Sequence, residues 1–266
     1  VKVGLALSGG AARGIAHIGV IKYLEENGIK AACVAGTSAG SIVGSLYCSG
    51  KTVEELEKIA ATMSWKDLVR FSLPHKGLFD SKSLLKVLRK HLGNKSFEEL
   101  KIPLIINAVD LISGKEQVIT KGDLAEAVSA SCAIPGIFTP VKTGSYLLVD
   151  GGLLNNLPAA LLKDKNLDYI ISVNVGAQRA LKKEPETIIE ILVQSFDVIR
   201  RQRDMPGLDY TDTLVEPELG DIAVHDTSKV DLLIERGYKA AREALKDVNL
   251  SKKPGRLSRW LGRRNK

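Results

Sequence analysis

Gly36-Thr37-Ser38-Ala39-Gly40 is the stretch of this sequence best suited to nucleophilic chemistry. A G-x-S-x-G turn from strand to helix pushes a serine hydroxyl out of a sheet, and small flanks let helix and strand backbones approach. The apolar run Ala31–Ala35 precedes it and the helical pattern Ala39–Cys48 follows. The N-terminus of that helix would place partial positive charge near an anion developing at Ser38. A tight packing turn would match the same five residues.

Ser8-Gly9-Gly10-Ala11-Ala12-Arg13-Gly14 ends another apolar run, Val1–Leu7. Successive backbone N–H groups at such a loop form an anion nest. A dinucleotide fingerprint fails because the glycine spacing is not G-x-G-x-x-G and the second strand ends in Gly36-Thr37-Ser38 without the acidic residue a ribose needs. A P-loop fails because no Gly-Lys-Ser/Thr follows. An oxyanion site beside a neighbouring nucleophile suits the loop better.

Asp150-Gly151-Gly152 closes a third apolar run, Tyr146–Val149. Aspartate before glycine is often a turn former. A carboxylate ending a strand on the same edge of a parallel sheet as Ser38 could also reach that serine, because ligands bind at the carboxyl ends of strands.

In this order the three elements resemble the patatin-like phospholipase family, whose signature is G-G-G-x-R-G, then G-x-S-x-G, then a distant D-G-[GA]. The block Ala127-Val128-Ser129-Ala130-Ser131-Cys132-Ala133-Ile134-Pro135-Gly136-Ile137-Phe138-Thr139-Pro140 resembles the family's segment ahead of its aspartate. The resemblance runs from about Val3 to Val175, with a Gly237-Tyr238 ending of the kind seen in bacterial members. It implies a layered patatin-like α/β fold, with a mostly parallel central sheet and helices on both faces. It also implies a serine acyl hydrolase acting on fatty-acyl esters of (lyso)phospholipids or related glycerolipids through a Ser–Asp dyad and an acyl-enzyme. Ser38 would be the nucleophile and Asp150 the general base, with a pKa raised by burial. The N–H groups of Gly9, Gly10 and Ala11 would hold the oxyanion. Arg13 and Gly14 would support the loop, and Gly36 and Gly40 the elbow. No cofactor and no metal is implied. Ala11 departs from the family pattern, which has a third glycine there; a positive φ would cost alanine about 1 kcal/mol. The alternatives are a catalytically quiet lipid-binding or regulatory module and an acyltransferase using the same acyl-enzyme.

The order Ser38, Asp150, His225 copies an α/β-hydrolase triad, but only two strands precede Ser38. His75 and Asp80 match the H-x4-D of glycerolipid acyltransferases without the rest of that pattern. His17, His75, His91 and His225 are therefore expected to be packed or solvated rather than catalytic. Cys33, Cys48 and Cys132 fit no metal spacing and read as buried thiols of a reducing compartment.

Positioning these residues takes alternating strands and helices. Strands are expected at Leu104–Val109, Gln117–Thr120 and Tyr169–Val175, besides the three already named. Helices are expected at Arg13–Asn27, Ala39–Cys48, Thr52–Met63, Ser81–His91, Leu124–Ser131, Thr187–Arg203 and Lys229–Leu245. Thr52 and Glu55 form a capping box. Ala31–Gly50 is long enough to span a bilayer and uncharged, but five Ser/Thr residues dilute it, so a buried strand and helix fit better.

The chain has 266 residues, 44% of them hydrophobic and 26% charged, which excludes disordered and collagen-like classes. Its net charge of +7 belongs to the end of the chain, since residues 252–266 hold seven Lys/Arg and no acid, leaving 31 basic against 31 acidic residues elsewhere. That balance lends no support to a nucleic-acid partner. The expected organisation is an acyl hydrolase domain over 1–250 and a basic tail, amphipathic or disordered, over 251–266. Leu257, Trp260 and Leu261 share a helical face among arginines, so residues 252–266 could meet an anionic membrane surface. The expected location is the cytoplasm, peripheral on the inner face of the membrane.

Overall fold

A computed structural model describes residues 1–62, 77–176, 184–185, 187–202, 205–220, 222 and 226–250. His75, His225 and the basic tail lie outside them. Its strands are β1 (Val3–Leu7), β2 (Ala31–Gly36), β3 (Leu104–Asp110), β4 (Lys115–Ile119), β5 (Val141–Thr143), β6 (Tyr146–Asp150), β7 (Tyr169–Val173) and β8 (Thr213–Val215). They form one sheet in the order β5-β6-β3-β2-β1-β7-β8, with β4 also paired to β3. The run from β3 through β8 is parallel, while β4, β5 and β6 pair antiparallel.

Alternate residues of each central strand face opposite layers. Leu5, Leu7, Val34, Leu104, Ile106, Ile171 and Val173 point into the larger core. That core is closed by α1 (Ala16–Glu26), α2 (Ala39–Cys48), α3 (Val53–Thr62), α4 (Ser81–Leu92), α5 (Leu124–Ser131) and α8 (Val230–Leu245). Ala6, Cys33, Ala35, Ile105 and Ile170 face the other way, against Ala159 and Leu162. These include small side chains, and the cover is correspondingly thin: the 3-10 helix Pro158–Leu162 lies on β1 and β2, with α7 (Met205–Leu208) packed on it. The remaining helix, α6 (Ile188–Gln202), packs beside the turn that follows β6.

The expected helices and strands are present, most within two residues of their predicted ends. The Arg13–Asn27 pattern differs: it begins as a 3-10 helix at Ala11–Ile15 and becomes α-helical at Ala16. The Thr52–Glu55 box forms reciprocally, at 2.9 and 3.3 Å. The uncharged Ala31–Gly50 segment is β2 followed by α2. Among the described residues no helix is long and apolar enough to cross a membrane. All three cysteines are buried free thiols.

Asp150 does not end a parallel strand, contrary to expectation. β6 runs antiparallel to β3, with Asp150 opposite Ala108, whereas β2 runs parallel with Gly36 opposite Ile106. β4 pairs with both Ile106 and Ala108, so it occupies one edge of β3 and leaves β2 and β6 to share the other. Their ends meet head to head at Asn107, which is what brings Asp150 to the elbow.

Candidate active site

At the elbow Ser38 takes φ 50° and ψ −122°, a conformation rarely adopted by a residue with a side chain. The surroundings hold it there. Ser38 N–H donates to Ser131 Oγ at 2.9 Å, and the Ser38 carbonyl accepts from Ser41 Oγ at 2.6 Å. Thr37 N–H donates to Leu7 O at 3.1 Å, tying the elbow to β1. Glycine is needed at position 40, where a Cβ would stand 2.2 Å from Leu7 O, and at position 36, where it would stand 2.7 Å from Gly40 O. Ser38 itself is 8% exposed.

Beside it runs the glycine loop. Ser8 is pinned by N–H donation to Val173 O at 3.0 Å and by accepting Val175 N–H on its hydroxyl at 3.0 Å. Its carbonyl accepts from His17 Nε2 at 2.9 Å. A carbonyl can only accept, so His17 is the neutral Nε2–H tautomer and its buried Nδ1 finds no partner among the described residues. Burial lowers the His17 pKa to about 4, partly opposed by the Ser8 hydrogen bond. Gly9 N–H donates to Asn156 O at 3.3 Å, so this member of the expected oxyanion trio is engaged within the protein. The N–H groups of Gly10 and Ala11 have no hydrogen-bond partner among the described residues. Ala11 has φ 50°, so the alanine departure sits where the left-handed conformation is required.

Arg13 is buried. Its guanidinium donates to Ile222 O at 2.9 and 2.6 Å and to Gly220 O at 3.3 Å. Gly14 packs directly on Ala39, joining loop to elbow.

Asp150 is fully buried and accepts Gly152 N–H at 2.8 Å. Its own N–H donates to Ala133 O at 3.0 Å. Cys132 neighbours both sides of the pair: burial first and the Asp150 charge second push its thiol pKa up, against hydrogen bonds to Ser41 and Ser38. Beneath the elbow, Thr37 Oγ1 lies 2.8 Å from Asn107 Oδ1 and 3.1 Å from Asn155 O. Asn107 Nδ2 donates to Asn155 O at 2.8 Å and to Glu116 at 2.9 Å, and Asn155 Nδ2 donates to Glu116 at 3.0 Å.

From Ser38 a cleft of about 120 Å³ opens between α2, α3 and α4. Ile42, Leu46, Leu56, Ala60 and Leu84 line its length, and Ile134 and Phe138 line it beside Cys132. Among the described lining residues only Ser38, Thr227 and Cys132 carry a polar atom in the side chain.

The structure thus gathers Ser38, Asp150, the glycine loop and the elbow glycines on one edge of the sheet. His91 lies at the end of α4. Sequence reasoning passed over Asn107, Ser131, Asn155, Asn156 and the placement of His17. One of these carried a signal: Asn107 interrupts an otherwise apolar strand, and a buried amide there needs partners. No group of three or more His, Cys, Asp or Glu residues suited to a metal occurs among the described residues.

Comparison with known proteins places residues 5–163 in the family model described as "Patatin-like phospholipase". An uncharacterized NTE family protein of Mycobacterium tuberculosis is 36% identical over 182 residues, 67% of this chain and 50% of that protein. Lysophospholipase NTE1 of Pyricularia oryzae is 27% identical over 281 residues, 92% of this chain and 18% of that protein. The chain therefore spans half or less of the length of these curated relatives. Among solved structures, VipD from Legionella pneumophila shares the fold with a TM-score of 0.64 at 15% identity, covering 92% of this chain and 66% of that one.

Proposed function

This chain belongs to the patatin-like phospholipase family, and from that membership and the geometry above we propose that it is a serine acyl hydrolase cleaving fatty-acyl esters of (lyso)phospholipids or related glycerolipids. The observation that carries the reading is the placement of Ser38 on an almost wholly apolar cleft. A buried hydroxyl at such a wall suits an ester whose acyl chain leaves water for the space between α2, α3 and α4.

In the proposed mechanism Ser38 Oγ attacks the ester carbonyl carbon as Asp150 takes the hydroxyl proton. The tetrahedral oxyanion is held by Gly10 and Ala11 N–H, since Gly9 N–H is engaged with Asn156 O. Collapse breaks the bond to the leaving alcohol, which receives the proton from Asp150, and the acyl group stays on Ser38. Water, deprotonated by Asp150, then attacks the acyl-enzyme, and as the acyl–oxygen bond breaks Ser38 Oγ takes the proton back from Asp150 and the fatty acid leaves. Ser131 and Ser41 hold the strained elbow, while Thr37 and Asn107 fix the meeting of β2 and β6.

The test is a fluorophosphonate probe together with product profiling on a mixed lipid extract. Labelling of Ser38 alone, with free fatty acid release lost in Ser38→Ala and Asp150→Asn, is the expected result. Because the two act as one unit, the double variant should be scarcely slower than either single. Unchanged turnover in folded Ser38→Ala overturns the proposal.

A further inference from the structure

Eight large hydrophobic side chains stand exposed among the described residues, and six of them lie on the turns beyond β3 and before β6 or on α6. Leu111 (47% exposed) and Ile112 (72%) form the β3–β4 turn, and Tyr146 (45%) ends the β5–β6 turn. Ile191 (50%), Val198 (46%) and Ile199 (45%) lie at i, i+7 and i+8 on α6, one face of that helix.

The three segments are joined to one another and to the site. β3 continues to Asp110, two residues or about 7 Å past the level of Asp150. Leu111 N–H donates to Leu147 O at 2.9 Å, so the two hairpin turns stand side by side. α6 also reaches the turns beside the site, with Phe196 against Gly152 and Leu192 against Gly136.

Charge selects the occupant. Lys115 and Lys142 are exposed on the two hairpins. The acidic groups nearby are buried or hydrogen-bonded within the protein. The Asp110 carboxylate accepts from the Ser113 hydroxyl and from the N–H groups of Leu147, Ser113 and Ile112, which hold its pKa down to about 2. Glu116 is committed to Asn107 and Asn155. On α6, Asp197 is buried and Glu190 binds Thr187 N–H. The rim therefore presents aliphatic side chains, a tyrosine and ammonium groups, the composition that seats in a headgroup layer.

We propose that this rim, formed by the β3–β4 turn, the β5–β6 turn and the outer face of α6, is the surface by which the protein docks on an anionic phospholipid layer. The choice of occupant rests on the hydrolase reading, and the docking is a property of the rim rather than of the basic tail. It would set the Ser38 cleft against the layer that supplies its substrate.

The test uses the full chain and vesicles of phosphatidylcholine and phosphatidylglycerol. An environment-sensitive fluorophore is attached at Ile112→Cys, at Val198→Cys and, as a control off the rim, at Val118→Cys. Vesicles should shift the emission of the first two labels to the blue and leave the third unchanged. A combined Ile112→Asn and Val198→Asn variant should partition onto vesicles at least about tenfold more weakly in salt high enough to screen the tail, and hydrolyse a short soluble ester at an unchanged rate. Absent or equal shifts at all three labels overturn the surface. A lipid-free dimer that the Asn variant converts to monomer also overturns it, assigning the rim to a second copy of the chain. If the blue shifts stand but no ester is cleaved, the hydrolase reading falls and the docking surface survives; cleavage without blue shifts gives the reverse.

Discussion

The Thr37 hydroxyl lies 2.8 Å from the carboxamide oxygen of Asn107, a residue 70 positions away, and the pair stands where β2 and β6 meet on one edge of β3. The residue before Ser38, the proposed nucleophile, is thereby fixed to the strand that also aligns Asp150. Removing a buried hydroxyl that leaves an acceptor unsatisfied costs about 1–3 kcal/mol. Thr37→Val should lower stability by that amount and reduce kcat on a soluble ester more than it raises KM, because it disturbs the position of Ser38 and leaves the apolar cleft intact. Thr37→Ser, which restores the hydroxyl, should recover most of the turnover. Urea unfolding and initial rates for both variants make the comparison, and equal kcat in Thr37→Val and the parent would refute the positioning role.

This meeting of strand ends was hidden from the sequence. The motifs Gly36–Gly40 and Asp150–Gly152 were legible because each obeys a local steric rule: a sharp turn needs small residues, and a close backbone approach excludes a Cβ. Strand direction obeys no such local rule. An apolar run such as Tyr146–Val149 reads identically whether it pairs parallel or antiparallel, so the sequence leaves the direction of β6 open. β5 and β8, each of three residues, were too short to show a period. The cap residues Thr52 and Glu55 read correctly because their effect is confined to one helical turn.

His17 gives a pH signature. Its pKa is lowered by burial from 6.5 to about 4, so between those values the unfolded chain binds a proton that the folded protein does not. Stability therefore rises with pH across this window and is lost as pH falls from about 6.5 to 4, by up to about 3 kcal/mol. His17→Gln keeps an N–H donor for Ser8 O without a titrating group. Its unfolding free energy should fall less than that of the parent over the same range, and the difference isolates His17 from the carboxylates that titrate lower. Parallel curves from urea denaturation at stepped pH would refute the assignment.

At Ala11 two opposing terms can be compared. The left-handed conformation costs alanine about 1–2 kcal/mol relative to glycine. Glycine adds about 0.5–1 kcal/mol of unfolded-state entropy to be lost on folding. Ala11→Gly should thus be neutral to slightly stabilising and keep turnover within about threefold, because the N–H proposed for the oxyanion is retained. Ala11→Val, β-branched at a positive φ, should destabilise by more than about 1 kcal/mol. A stability loss in Ala11→Gly comparable to that in Ala11→Val would show that the methyl group packs, and that strain is not the controlling term.

The basic tail supplies the last prediction. Residues 252–266 carry seven Lys/Arg and no acid. Each cation near an anionic layer contributes roughly 1 kcal/mol, less the cost of ordering the segment. That attraction is screened as ionic strength rises, whereas insertion of the rim side chains is apolar and much less so. Truncation after Leu250 should therefore remove the salt-sensitive part of vesicle binding and leave the salt-resistant part. The blue shift at a label on Ile112 should persist in the truncated protein, reached at a higher lipid concentration. Hydrolysis of a soluble ester should be unchanged, since α8 ends at Leu245 and, among the described residues, none beyond Thr227 lines the cleft. Vesicle binding of equal strength and equal salt dependence in the full-length and truncated proteins would show that the tail makes no membrane contact.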